Sequence, residues 1–405
     1  MRGSTAGWWL AVTLAIGACR QRALEPSSGR VSIQDAGASP DAQDLADALP
    51  SIDGPVTSVD GAVTSADGAV TRIARAHVLT AVPVDAVTIA ADDTGVFGMT
   101  SDNAMWALPT GADAPQILAR DPGTRFPGCN EGGRMITAGN DLFWVASRAL
   151  PDHHWMTVLH RTSKDGARDE VVADDVLIDD FVTLVADDTF VYWNDNVSLT
   201  EGGARIRAFP RNAPVGTPPS TVVTVPTGME IASVAVNDRS LYWTPFRAIG
   251  STVFPGKLWT GDKRALAAGD GASARQVSSA SARALVAHGD DLFFVYLPDL
   301  WSSRFARWSG DGQVIDVVQL NDGLDSAVFV DRWAILSLSA GSCGVNTRRL
   351  VAVPTSAGSA TVTTIAEGPI TPVALGAQGI TFVNAEHELV AISKADLNLA
   401  LVGSP

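Results

Sequence analysis

From residue 75 onward, apolar and polar positions alternate in short runs bounded by turn residues. This is the two-residue period of half-buried strands, not the 3.6-residue period of helices. One unit recurs: an alternating strand, an Asp/Asn/Gly turn, then a strand rich in aromatics. Its copies are VTIAADDTGVFGM (87–99), MITAGNDLFWVAS (135–147), VTLVADDTFVYWND (182–195), ASVAVNDRSLYWTP (232–245), ALVAHGDDLFFVY (284–296), SAVFVDRWAILSL (326–338) and PVALGAQGITFVN (372–384). After each comes a short apolar strand closed by a polar turn, as in MWALPTGAD (105–113), RIRAFPRN (205–212) and ELVAISKAD (388–396). After most of these turns a further strand follows, such as QILAR (116–120), DEVVAD (169–174) or VIDVVQL (314–320).

Four short strands per period, repeated seven times, predict an all-β seven-bladed β-propeller over 75–405. One four-stranded blade cannot bury both of its faces. Stacking blades in a ring buries each against its neighbour and leaves only short edges. The aromatics near the end of the second strands, Trp144, Trp193, Trp243 and Phe294, are expected to fill the wedge between blades. Residues 76–82 align with 221–227, an outermost strand, yet have no blade before them. They are expected to complete the seventh blade, with NLALVG (398–403), a rival for the same slot, packed beside them.

VADDTFVYWND and VAVNDRSLYWT resemble the YWTD-type and related propellers in spacing and turn chemistry, although no copy reads Tyr-Trp-Thr-Asp. The resemblance implies the fold and an extracytoplasmic setting, and no particular ligand.

Upstream of the repeats the character changes. Residues 20–72 are poor in large apolar side chains and rich in Ala, Ser, Asp, Gly and Pro, with PVTSVDG (55–61) echoed by AVTSADG (62–68). Such a composition cannot bury enough apolar surface to offset chain entropy, so 19–74 reads as a disordered linker. The first residues, MRGSTAGWWLAVTLAIGAC, carry one charge, Arg2, and an apolar run too short to span a bilayer. Ile16-Gly17-Ala18-Cys19 resembles a bacterial lipobox. That resemblance implies a signal peptide over 1–18, a lipidated Cys19 and a membrane anchored through lipid. Arg20 following the cysteine favours the outer membrane of the cell envelope.

Composition narrows the partners. The formal net charge is −15, which argues against a nucleic-acid partner, because phosphate binding needs a basic face. Three cysteines cannot make a disulfide-rich scaffold. Cys129 and Cys343 are expected on the same face, where a disulfide would close a very long loop; two free thiols are the alternative.

The connections between second and third strands are short in blades 1 and 7 and long in blades 2 to 6, which places binding at that end of the ring. The contact candidates are Arg148, Asp152, His153, His154, Trp155, Phe246, Arg247, Phe254 and Trp301, since aromatics and Arg dominate interface energetics. Asp152-His153-His154 is the sharpest polar cluster, but six scattered histidines do not promise the converging ligands of a zinc site. Turn carboxylates at the opposite end (Asp92/Asp93, Asp141, Asp187/Asp188, Asp238, Asp290/Asp291) could bind Ca2+; the simpler reading is that they bond their own turn backbone. No G-x-S-x-G, H-E-x-x-H, P-loop or CxxC is present. The expected function is a non-catalytic binding or scaffold module for a protein or glycan at the envelope. The alternative is a propeller-type hydrolase or lyase with its site at the channel mouth, whose catalytic residues the sequence does not identify.

Overall fold

A computed structural model describes residues 77–402, apart from 82–85, 101–103, 121–123, 126–134, 150–154, 177–182, 197–202, 250–251, 279–281, 297–302, 311–312, 321, 341–346, 357–361, 369–372, 377–378 and 385–386. Cys19, the 1–18 signal, the linker, Cys129, Asp152, His153, His154, Trp301 and Cys343 therefore lie outside the described residues.

The chain forms seven antiparallel blades in a ring, a β-propeller. Blade 1 is Ala86–Asp92, Gly95–Thr100, Ala104–Pro109 and Gln116–Arg120. Blade 2 is Met135–Ala138, Asp141–Ala149, Trp155–Ser163 and Asp169–Val176. Blade 3 is Leu184–Ala186, Phe190–Asp195, Arg205–Pro210 and Ser220–Thr224. Blade 4 is Glu230–Val236, Ser240–Ile249, Leu258–Asp262 and Arg275–Ser278. Blade 5 is Ala282–His288, Asp291–Tyr296, Ser303–Trp308 and Val314–Leu320. Blade 6 is Gly323–Val330, Trp333–Ala340, Thr347–Pro354 and Thr363–Gly368.

Blade 7 joins the two ends of the ring. Its Ala374–Gly376, Gly379–Val383 and Glu388–Ile392 come from late in the chain, and its fourth strand is His77–Ala81. His77 pairs with Ala391 and Ala81 with Glu388. The competing segment is not a strand over its described residues 398–402. Lys394–Val402 is a helix, started by Ser393, whose Oγ accepts from the Asp396 amide and donates to the Asp396 carboxylate. Ser393 is thus a serine N-cap, and SKAD had the look of a turn only because both elements use the same residues. Leu397 and Leu401, one turn apart, bury against blades 6 and 7.

The core explains the repeat. The buried apolar residues fall into clusters that each draw on two consecutive blades. Alternation along the second strands divides them. Leu142, Trp144 and Ala146 face blade 1, whereas Phe143 and Val145 face blade 3. Likewise Trp193 packs toward blade 2 and Tyr192 toward blade 4, while Trp243 packs toward blade 3 and Tyr242 toward blade 5. The Tyr-Trp pair is thus one side chain for each neighbouring wedge. The last cluster, with Ile89, Val96 and Trp106 of blade 1 against Ala374, Val383 and Leu389 of blade 7, closes the circle. Trp144, Trp193, Trp243 and Phe294 are all buried, as their positions predict.

Candidate binding face

The ring has two ends. At one, first and second strands are joined by tight turns; at the other, second strands run into the third and the last strand of one blade reaches the next.

The turn end is built of cross-blade polar latches. Asp187 of blade 3 receives the amides of Thr189 and Phe190 and the Tyr192 hydroxyl, and pairs with Lys263 of blade 4 at 2.8 Å. Asp92 of blade 1 holds Thr94 and pairs with Lys164 of blade 2. Asn237 of blade 4 makes the same turn bonds and reaches the Gly289 carbonyl of blade 5 at 3.2 Å. Burial pushes the Asp92 and Asp187 carboxyls up, but the lysines and turn donors more than offset this and leave both below the usual carboxylate range. Burial and the Asp187 carboxylate raise the Tyr192 phenol. Asp141 is paired with Arg168, and Asp291 with Arg307 at 3.6 Å. The turn carboxylates named here therefore serve their own backbone and neighbouring cations. Among the described residues, no group of three or more His, Cys, Asp or Glu is placed to hold a metal ion.

The loop end is built out by extra strand pairing. In blade 4 the second strand continues past the ladder and folds back, with Phe246 opposite Pro255, Arg247 opposite Phe254 and Ile249 opposite Thr252. PFRAIGSTVFPG is therefore mostly a β-hairpin and not the open loop its length suggests. In the sequence, β-branched Ile249 and Thr252 flank Gly-Ser, a hairpin signal. In blade 2, Ala149 pairs with Trp155, and Thr124–Arg125 adds a strand on the other side, opposite Arg148 and Ser147. Arg148 and Trp155 thus belong to strands. Arg247 is exposed. Phe246 is 2% exposed and serves as packing at the root of the hairpin.

The same end of blades 3, 5 and 6 carries a set of guanidinium–carboxylate pairs. Asp195 is fully buried and meets Arg205 at 2.7 Å and Arg207 at 3.6 Å; Arg207 also lies over the Trp193 ring, 5.7 Å from its centroid. Arg304 pairs with Asp316, which also accepts from the Tyr296 hydroxyl. Arg349 pairs with Asp322. Burial and the Asp316 carboxylate push the Tyr296 phenol up to about 12, so at neutral pH it is a donor and not a base. Asn196 clamps the next blade by accepting from the Ile231 amide at 2.9 Å and donating to the Ile231 carbonyl at 3.3 Å. Sequence reasoning passed over these arginines. Their signal was visible: RIRAF, RFARW and RRLVAV each place arginine at or next to the start of a third strand.

No protein-family model matches the chain, and no curated protein matches it. Solved structures do resemble it. PorZ, described as an essential surface component of the type-IX secretion system of Porphyromonas gingivalis, matches with a TM-score of 0.50 and 16% identity over 79% of this chain and 38% of that one. A puromycin-hydrolysing peptidase of Mycobacterium tuberculosis matches at 0.48 and 12%, over 70% and 46%. The β-propeller domain of the Trilobed protease of Pyrococcus furiosus matches at 0.46 and 9%, over 70% and 86%. The chain spans less than half the length of the first two. At such identities the likeness concerns the propeller fold alone.

Proposed function

We propose that this protein is an exported, lipid-anchored propeller that binds a protein or glycan partner at the bacterial cell envelope through the loop end of its ring. Cys19 carries the lipid, residues 19–74 hold the ring off the membrane, and the YWTD-like repeats provide the scaffold. The observation that carries the reading is the β-hairpin of blade 4, Phe246–Ile249 against Thr252–Pro255, which projects an exposed Arg247 beyond the ladder. Rigid elements hold contact side chains more accurately than open loops do. The carboxylates at the same end of the ring support the same reading, because Asp195, Asp316 and Asp322 are each paired with an arginine.

The test is affinity capture with the full chain from detergent extracts of envelopes, for wild type and for Arg247→Glu. A partner retained by wild type and lost by the variant, with an unchanged melting temperature, supports the proposal. Turnover of a glycan or peptide without any retained partner overturns it in favour of the hydrolase or lyase. Metabolic labelling with a fatty acid, lost in Cys19→Ala, tests the anchor. Alkylation with and without reductant tests the Cys129–Cys343 bridge, and labelling of both thiols without reductant rejects it.

A further inference from the structure

Each third strand enters the wedge toward the next blade with one buried apolar residue. In blades 3 to 6 these are Ile206, Leu258, Phe305 and Leu350. The residues just before them are Arg205, Lys257, Arg304 and Arg349. In blades 1, 2 and 7 the corresponding pairs are Ala104-Met105, Val158-Leu159 and Glu388-Leu389. Four consecutive blades thus carry a cation at one register, at the loop end where third strands begin, and the other three carry none.

These cations reach solvent. Arg205, Arg304 and Arg349 are 36%, 37% and 38% exposed, and Lys257 is exposed. In blades 3 and 6 the carboxylate partner is the more buried member, Asp195 fully and Asp322 at 14%. Asp195 meets Nη2 of Arg205, Asp316 meets Nη1 of Arg304, and Asp322 meets Nε and Nη2 of Arg349. A guanidinium carries five N–H donors in a fixed fork, so donors remain for a ligand while the side chain is already immobilised. Arg247, exposed on the blade 4 hairpin, adds a fifth cation. Among the described residues, Asp316 and Glu367, which stands opposite Arg349, are the acids exposed along this arc. The excess of cations is centred on blade 4, in a chain whose formal net charge is −15.

We propose that this arc is a binding track for a linear polysaccharide that carries carboxylates on its sugar repeats. The proposal rests on the loop-end reading above and names its partner class. The ring spaces equivalent positions evenly from blade to blade. A chain with evenly spaced charges meets several of them at once, so contacts that are weak singly add together. Its hydroxyls supply acceptors for the remaining guanidinium donors. A flexible acidic peptide offers the same charges but must first be ordered, which opposes binding.

The experiment is calorimetric titration of the full chain in detergent with alginate, a linear uronate polysaccharide, beside neutral dextran and poly-L-glutamate. Alginate is expected to bind and dextran not to. The affinity should fall as sodium chloride rises from about 0.05 to about 0.5 M, because screening shortens the reach of each charge. Lys257→Glu is expected to weaken alginate binding about tenfold, and Arg239→Glu, the same charge change at the turn end of the same blade, less than about twofold. Both positions are exposed, so both variants should fold. No alginate binding, or equal losses in the two variants, overturns the proposal. Poly-L-glutamate bound as tightly as alginate overturns it in favour of an acidic peptide. A partner captured through Arg247 by a chain that ignores alginate leaves the loop-end reading standing and removes only the arc.

Discussion

The Lys263 ammonium of blade 4 sits 2.8 Å from the Asp187 carboxylate of blade 3, at a position in the repeat equivalent to that of Lys164 against Asp92. Both side chains of the Asp187 pair are largely buried, at 7% and 14% exposure. Removing one partner strands a charge in a poor solvent. Asp187→Ala also orphans two turn amides and the Tyr192 hydroxyl. It is expected to cost about 2–4 kcal/mol in urea unfolding. Lys263→Met keeps the turn bonds, and a smaller loss is expected.

These latches set the acid limit. The Asp92 and Asp187 carboxyls lie below their usual value of 3.8 when folded. Their contribution to stability is fully present above that value and is lost as pH falls through the lowered folded values. The melting temperature should hold from pH 7 to about 5 and fall below about 4. The fall should be shallower in a Lys164→Met/Lys263→Met double variant, which melts lower at neutral pH. An equally steep fall in that variant would place the acid sensitivity elsewhere.

Gly98 is a packing requirement of the blade 7–1 wedge. A Cβ built on it would lie 2.1 Å from Cζ2 of Trp106, which is fully buried and has nowhere to retreat. Gly98→Ala should destabilise by about 3 kcal/mol through overpacking. Trp106→Leu in the same chain should recover part of that loss, a non-additivity that a double-mutant cycle measures.

Deleting His77–Ala81 should open the ring. It removes the fourth strand of blade 7 and uncovers the edge of Glu388–Ile392, together with the apolar residues that Leu79 packs against. The truncated chain is expected to sediment as an aggregate or melt at least about 10 °C lower. A synthetic peptide spanning 75–83 added in trans should restore a monomeric species, and no restoration by that peptide would mean that the strand does more than pair.

The propeller was legible because each blade repeats the same compromise. Turn residues such as Asp187 and Asn237 recur five positions before Tyr192 and Tyr242, and Trp193 and Trp243 follow, so the strands announce themselves. What escaped was set by tertiary pairing. Arg247 opposite Phe254 is a register that no local period dictates. The helix at Lys394–Val402 hid behind a short polar run whose capping role emerges only when Leu397 and Leu401 find a core. The partnership of Arg304 with Asp316, twelve residues on, depends on how far the intervening hairpin turns back.

The first segment of the ring to be synthesised, His77–Ala81, waits for the last, Glu388–Ile392. Until that stretch arrives, Ile89, Val96 and Trp106 have no opposite wall. A chain delivered vectorially thus spends almost its whole passage with blade 1 unsealed, dependent on a holding factor or on speed. Completion becomes a single late event that rejects truncated products.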